Sequence, residues 1–257
     1  MYEYEGLQDV IFIALYCVAA FAALLACVYL LCRRGNAFMQ EKGPESVKTI
    51  ETPSGPLRLD FGVRSSLRLR RWTAALMAAI VGSHVWWYVL GQVWLTDDRL
   101  VRNIIAIALD HVTLVPLTMA VLLAMLQDRR RPLWPWLVAE VSAVVVTAVM
   151  GIAGRDEFWG YDVLGCCQLA LIAGFIIYYA LALRYYGRWL RDNYANLEHK
   201  EVWQSLVFAV GLFVVYEVYT SNGGELLREY LSQVVTLVIV GFLLWRVETL
   251  QELKDEA

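Results

Sequence analysis

VRNIIAIALDHVTLVPLTMAVLLAML, residues Val101–Leu126, decides how this chain is read. The stretch is long and apolar enough to cross a bilayer as a helix. Near its middle stand Asp110 and His111, followed by Thr113 and Pro116. An aspartate at that depth costs roughly 2.5–3.5 kcal/mol even on lenient insertion scales, so it has to face protein, water or a partner rather than lipid. The other apolar stretches are therefore expected to form a wall around this pair.

Working outward, the composition agrees. Of 257 residues, 59% are hydrophobic and only 18% charged, unlike a soluble globular chain. The apolar residues come in blocks of about twenty with charges between them, the signature of membrane spans. Basic residues sit in loops beside these blocks, so no nucleic-acid surface is expected, and the bilayer is the first partner. The first block, Val10–Cys32, lacks a basic leader and a small-residue cleavage site, and reads as a retained helix. Cys17, Cys27, Cys32, Cys166 and Cys167 all lie in or at the edge of spans, where they serve as small apolar filler rather than as a disulfide framework.

Seven spans follow: Val10–Cys32, Trp72–Leu95, Val101–Leu126, Leu133–Ala153, Tyr161–Leu183, Val202–Tyr219 and Tyr230–Trp245. The fold class is thus an all-α, polytopic seven-helix bundle forming a single domain over residues 1–257. With the amino terminus outside, 18 of the 22 Lys and Arg fall in cytoplasmic segments, and only Arg99, Arg102, Arg155 and Arg228 lie outside. The positive-inside rule then places the carboxyl terminus in the cytoplasm of a bacterial inner membrane. Eight of the ten tryptophans lie near span ends, as amphipathic rings prefer, and only Trp86 and Trp87 sit well inside one.

The outer connections Thr96–Leu100, Gly154–Gly160 and Thr220–Glu229 are short, leaving recognition to helix ends and the bundle interior. The long cytoplasmic loop Arg33–Arg71 is expected to be a mobile basic segment on anionic lipid. Its VKTIETPSGPLRLDF (Val47–Phe61) alternates around a Pro-Ser-Gly-Pro turn and offers a small hairpin as the alternative. Residues 246–257 are read as a cytoplasmic helical tail. The last helix is expected to run on to about Leu253, with Val247 and Leu250 meeting another chain or domain.

Counting depth along the spans puts His84, Asp110, Gln168, Glu217 and Gln233 at one level in the outer half. Trp86 and Trp87 lie within a turn of His84, and Tyr88, Tyr216 and Tyr219 add aromatic surface. Pro116 frees the Val112 carbonyl and opens space beneath the pair. An outward-opening ligand cavity is expected, with Asp110 as floor, His84 and Trp87 as wall, and His111, Gln168, Glu217 and Gln233 around it. Glu140 and Thr147 make a second polar stripe on the fourth span. No HExxH or CxxC spacing supports a metal, so neither metal nor cofactor is expected. Ser83 and His84 are adjacent and diverge by about 100°, which argues against a nucleophile–base pair and against an enzyme. His199 in LEHKEVW lacks the H-E-x-x-x-P context of a sensor-kinase histidine.

LRLRRWTAALMAAIVGSHVWWYVLG (Leu67–Gly91), the segments around Trp189–Trp203 including LEHKEVW, and the exit LLWRVETLQEL together resemble a known arrangement. It is the multi-span membrane region that precedes cytoplasmic outputs in Bacteroidetes signalling proteins, where the output is a histidine kinase or an AraC-type helix-turn-helix. The resemblance spans roughly Leu67–Leu253. It implies a sensor-like input module, a truncated form of a longer protein, or a stand-alone relative acting through a cytoplasmic partner or a second copy. The functional expectation is a membrane sensory or signal-transducing module, with a small transporter or ion-coupled permease as the alternative.

Overall fold

The computed structural model describes residues 7–33, 47–52, 55–60, 65–92, 99–153, 157–194, 197, 200–220 and 225–253. Side-chain surroundings are described at 10–33, 65–90, 105–146, 165–194, 197, 200–216 and 230–253. Among the described residues the fold is an all-α bundle of seven helices beside one small hairpin: α1 (Leu7–Cys32), α2 (Leu67–Gln92), α3 (Arg99–Met125), α4 (Trp134–Ala153), α5 (Glu157–Asn193), α6 (Trp203–Thr220) and α7 (Glu225–Thr249). The apolar blocks form helices because a spanning segment has to satisfy its backbone internally. Among the described residues, α1, α2, α3, α5 and α7 are each long and apolar enough to cross a membrane, and α4 and α6 contribute shorter apolar stretches.

Each helix packs on the next in sequence, and α7 returns to α1 and α2, so the seven form a closed ring. One end of the ring gathers Cys32, Arg70, Arg131 and Arg246 and is called the basic face below. α5 has 37 residues, about 55 Å of helix, and so extends well beyond the thickness of a hydrocarbon core. α3 runs unbroken through Pro116, because neighbouring helices absorb what the missing N–H costs.

Two sequence expectations change here. Part of the loop 33–71 is ordered: β1 (Val47–Thr52) pairs antiparallel with β2 (Gly55–Asp60), from Val47 opposite Asp60 to Thr52 opposite Gly55. The alternation and turn signal in VKTIETPSGPLRLD outweigh the loop's basic composition. The last helix also stops early. α7 ends at Thr249, and Val247 and Leu250 are fully buried within this chain rather than offered to another. Beyond it, the side-chain amide of Gln127 donates to the Gln251 carbonyl at 3.0 Å and accepts from the Leu253 N–H at 2.8 Å. The tail is thus folded back over the end of α3.

The same face holds a buried ion pair. Arg70 Nη1 lies 2.7 Å from Glu248 Oε1, with side chains 3% and 0% exposed. Arg70 also donates to Ser65 Oγ at 2.9 Å and to the carbonyls of Leu30 and Arg33. One guanidinium therefore ties α1, α2 and α7 together.

Candidate functional site

Asp110 faces α2. Ser83 Oγ donates to its Oδ1 at 2.6 Å, Trp86 Nε1 to the same oxygen at 3.1 Å, and Trp87 Nε1 to Oδ2 at 2.8 Å. Positions 83, 86 and 87 are i, i+3 and i+4, so one strip of helix presents three donors to one carboxylate. A carboxylate can accept all three, and indole N–H groups are donors only. The two tryptophans that break the interfacial pattern are the ones this arrangement uses. Gly82 makes room for it, since a Cβ there would come within 2.9 Å of the Trp86 ring.

His84 belongs to the same cluster on its other side. Its Nδ1 lies 2.8 Å from the Ile80 carbonyl, and its Nε2 lies 3.0 Å from Gln233 Oε1 on α7. Both ring nitrogens thus face oxygen. A neutral ring requires the Gln233 amide turned over, with its nitrogen on His84 and its oxygen accepting from Ser232 Oγ, now 3.1 Å from the amide nitrogen. Tyr16 on α1 donates to the His84 carbonyl and stacks obliquely on its ring at 4.6 Å. Tyr16, His84, Asp110 and Gln233 each lie about four to five turns from the basic face, so four helices meet at one depth.

His111, the next residue along α3, faces the opposite way. Successive helical positions differ by about 100°, and the imidazole turns to α4, where Nδ1 lies 3.6 Å from Glu140 Oε1. The same oxygen accepts from Gln168 Nε2 on α5 at 2.5 Å. Glu140 and Gln168 are 0% exposed. Three of their atoms have no hydrogen-bond partner: His111 Nδ1, Glu140 Oε2 and Gln168 Oε1. The Tyr216 ring of α6 meets the His111 ring edge-on at 6.1 Å.

Shared depth does not bring all of these side chains to one place. His84, Trp87, Asp110 and Gln233 converge, whereas His111 and Gln168 join Glu140 on the far side of α3. Tyr88 is 62% exposed and faces outward from the bundle. The side chains of Glu217, Thr147 and Tyr219 lie outside the described residues. Sequence reasoning placed Trp86 near His84 without pairing it to Asp110, and passed over Tyr16 and Ser83 as partners of the cluster. The i, i+3, i+4 spacing of Ser83, Trp86 and Trp87 was the signal that could have paired Ser83 and Trp86 with Asp110.

A shallow cleft of about 160 Å3 runs between α3, α5 and α6. Its lining is apolar and includes Leu114, Val115, Ile172, Phe175, Leu212 and Phe213. It begins one turn below His111 on α3, on either side of Pro116, and one turn below Gln168 on α5. Tyr216 lines it and touches the His111 ring. Among the described residues no three His, Cys, Asp or Glu side chains gather as metal ligands would.

Comparison with family models, curated proteins and solved structures finds no match for this chain. What these clusters do has to follow from their own geometry.

Proposed function

We propose that the bundle is a membrane-embedded sensory module that couples a buried polar cluster to its basic face. One observation carries this reading. The helices that meet around Asp110 and His84 are also the helices tied at the basic face. α1, α2 and α7 share the Arg70–Glu248 knot, and α3 holds the tail through Gln127. A change at mid-bundle thus has rigid elements that end where an output partner would sit. The basic face is assigned to the cytoplasm of a bacterial inner membrane because the sequence segments on that side of the spans hold 18 of the 22 basic residues. Reporter fusions after Arg131 and Lys200 should then read cytoplasm, and one after Asp156 periplasm. A cytoplasmic signal at Asp156 would overturn both the seven-span count and the orientation.

Coupling is tested by amide hydrogen exchange on the full chain in lipid. Asp110→Asn replaces an all-acceptor group by one that presents an NH2 to a Trp N–H. The Leu253 amide, held by Gln127, should exchange at least about tenfold faster, while α5 amides stay unchanged; tenfold corresponds to about 1.4 kcal/mol of local opening. An unaltered Leu253 rate in a folded variant would remove the sensory reading.

A transporter is the second reading, favoured by Glu140, a fully buried carboxylate with one oxygen unpartnered. Intramembrane carboxylates of this kind mark ion and proton routes. Proton uptake into proteoliposomes that Glu140→Gln abolishes would favour it over sensing.

A further inference from the structure

The outward strip of α2 changes character at the basic face. Ala78, Val85 and Val89 recur at steps of seven and four and are exposed, the surface that a spanning helix offers to acyl chains. Towards the basic face the same strip ends in Arg71, seven residues before Ala78 and equally exposed. Arg68 stands beside it at i, i+3. Eighteen residues, five full turns, separate Arg68 from Trp86, whose indole donates to Asp110 of α3. Arg68 therefore also lies on the side of α2 that meets α3. There it comes close enough to Arg130, in the loop that follows α3, for the two like charges to act on each other. Arg68, Arg71 and Arg130 are all exposed. Among the described residues none of the three lies within 4.0 Å of a carboxylate. Asp128, the acid nearest Arg130 along the chain, is taken by Arg131 at 2.6 and 2.8 Å.

Like charges held together at an exposed place call for an anion between them, and the position of these says which. They cap a strip that lies on hydrocarbon, so the anion belongs to the molecule whose tail covers that strip. We propose that Arg68, Arg71 and Arg130 form a headgroup site for one anionic phospholipid, drawn from the leaflet at the basic face. Its acyl chain lies along Ala78 and on towards Val85. Guanidinium groups donate in pairs to phosphate oxygens. Three of them together disfavour a zwitterionic headgroup, whose own cation would add to the repulsion. The site is separate from the Asp110 cluster and needs neither the sensory nor the transport reading.

The test uses the full chain in nanodiscs of equimolar phosphatidylcholine and phosphatidylglycerol. Lipid that stays bound after transfer to mild detergent is counted by mass spectrometry of the intact protein. One phosphatidylglycerol per chain should be retained in preference to phosphatidylcholine. Arg68→Gln with Arg130→Gln should lower that preference at least about fivefold, the contribution of one arginine near an anionic surface. Arg184→Gln with Arg188→Gln removes the same charge from exposed positions on α5 and should leave the preference unchanged. Should the first double variant fail to fold, Arg71→Gln alone should lower the preference by about the same fivefold factor. Four results would each overturn the proposal. The wild type could retain both lipids alike. The variant lacking Arg68 and Arg130 could keep its preference. The α5 double variant could lose as much, as expected of charge spread over the whole basic face. Finally, inorganic phosphate at constant ionic strength could release the lipid from the wild type, which would make the site one for a soluble anion.

Discussion

The two sides of α3 treat buried polarity in opposite ways. Towards α2, Asp110 has three donors on two oxygens, and every contact comes from within the chain. Towards α4 and α5, Glu140 shares one oxygen between His111 and Gln168 and leaves the other bare. Satisfied buried networks specify one arrangement, whereas a half-satisfied network is worse than an apolar core. The Asp110 side therefore reads as a completed network, and the Glu140 side as an incomplete one.

That contrast can be broken most severely on the completed side. Glu248→Ala leaves the Arg70 guanidinium buried without its counter-charge, and should cost about 3–5 kcal/mol in reversible unfolding from mixed micelles. Replacing both partners, Arg70→Met with Glu248→Leu, should recover most of that loss. Next in size, Asp110→Leu strands two indole N–H groups and a hydroxyl. At about 1–3 kcal/mol for each stranded donor, it should destabilise by a few kcal/mol and shift tryptophan emission as Trp86 and Trp87 lose their acceptor. Gly82→Ala presses a methyl against the Trp86 ring and should cost about 1 kcal/mol, with the same emission change in milder form. The smallest effect sharpens the comparison by its sign. Glu140→Leu with Gln168→Leu removes an incomplete polar pair, and should be neutral or stabilising by up to about 1 kcal/mol. If that double variant unfolds as readily as Asp110→Leu, the two sides are alike and the contrast is lost.

Much of the architecture could be read directly from the chain. Apolar blocks between charged loops mark all seven helices, within about five residues at every end but one: the fifth runs on to Asn193, ten residues past Leu183. The misfit of Trp86 and Trp87 points at the Asp110 cluster. Depth was legible too, because rise per residue is fixed. Direction was harder. Counting turns places Asp110 and His111 side by side, yet one helical step separates their faces by about 100°, and that decides which neighbours each meets. The Arg70–Glu248 pair stayed hidden for a different reason. Both residues lie at span ends, where charges normally meet water and headgroups. Nothing local marks them as buried until α1, α2 and α7 close around them. The tail misled by its continuity: Leu243, Val247 and Leu250 keep helical spacing, but that stripe packs inward on this chain's own bundle.

The Gln127 clamp has a consequence for the end of α7. A primary amide offers one acceptor and one donor side by side, as a peptide unit does, so Gln127 stands in for a missing strand beside Gln251–Leu253. It reads backbone alone and is indifferent to which side chains the tail carries. Were α7 to wind on by another turn, the Leu253 N–H would be taken by the Thr249 carbonyl, four residues back. One N–H cannot serve both acceptors well. Helix and clamp are therefore rival claims on the same atom, and each turn gained by α7 is a grip lost by α3.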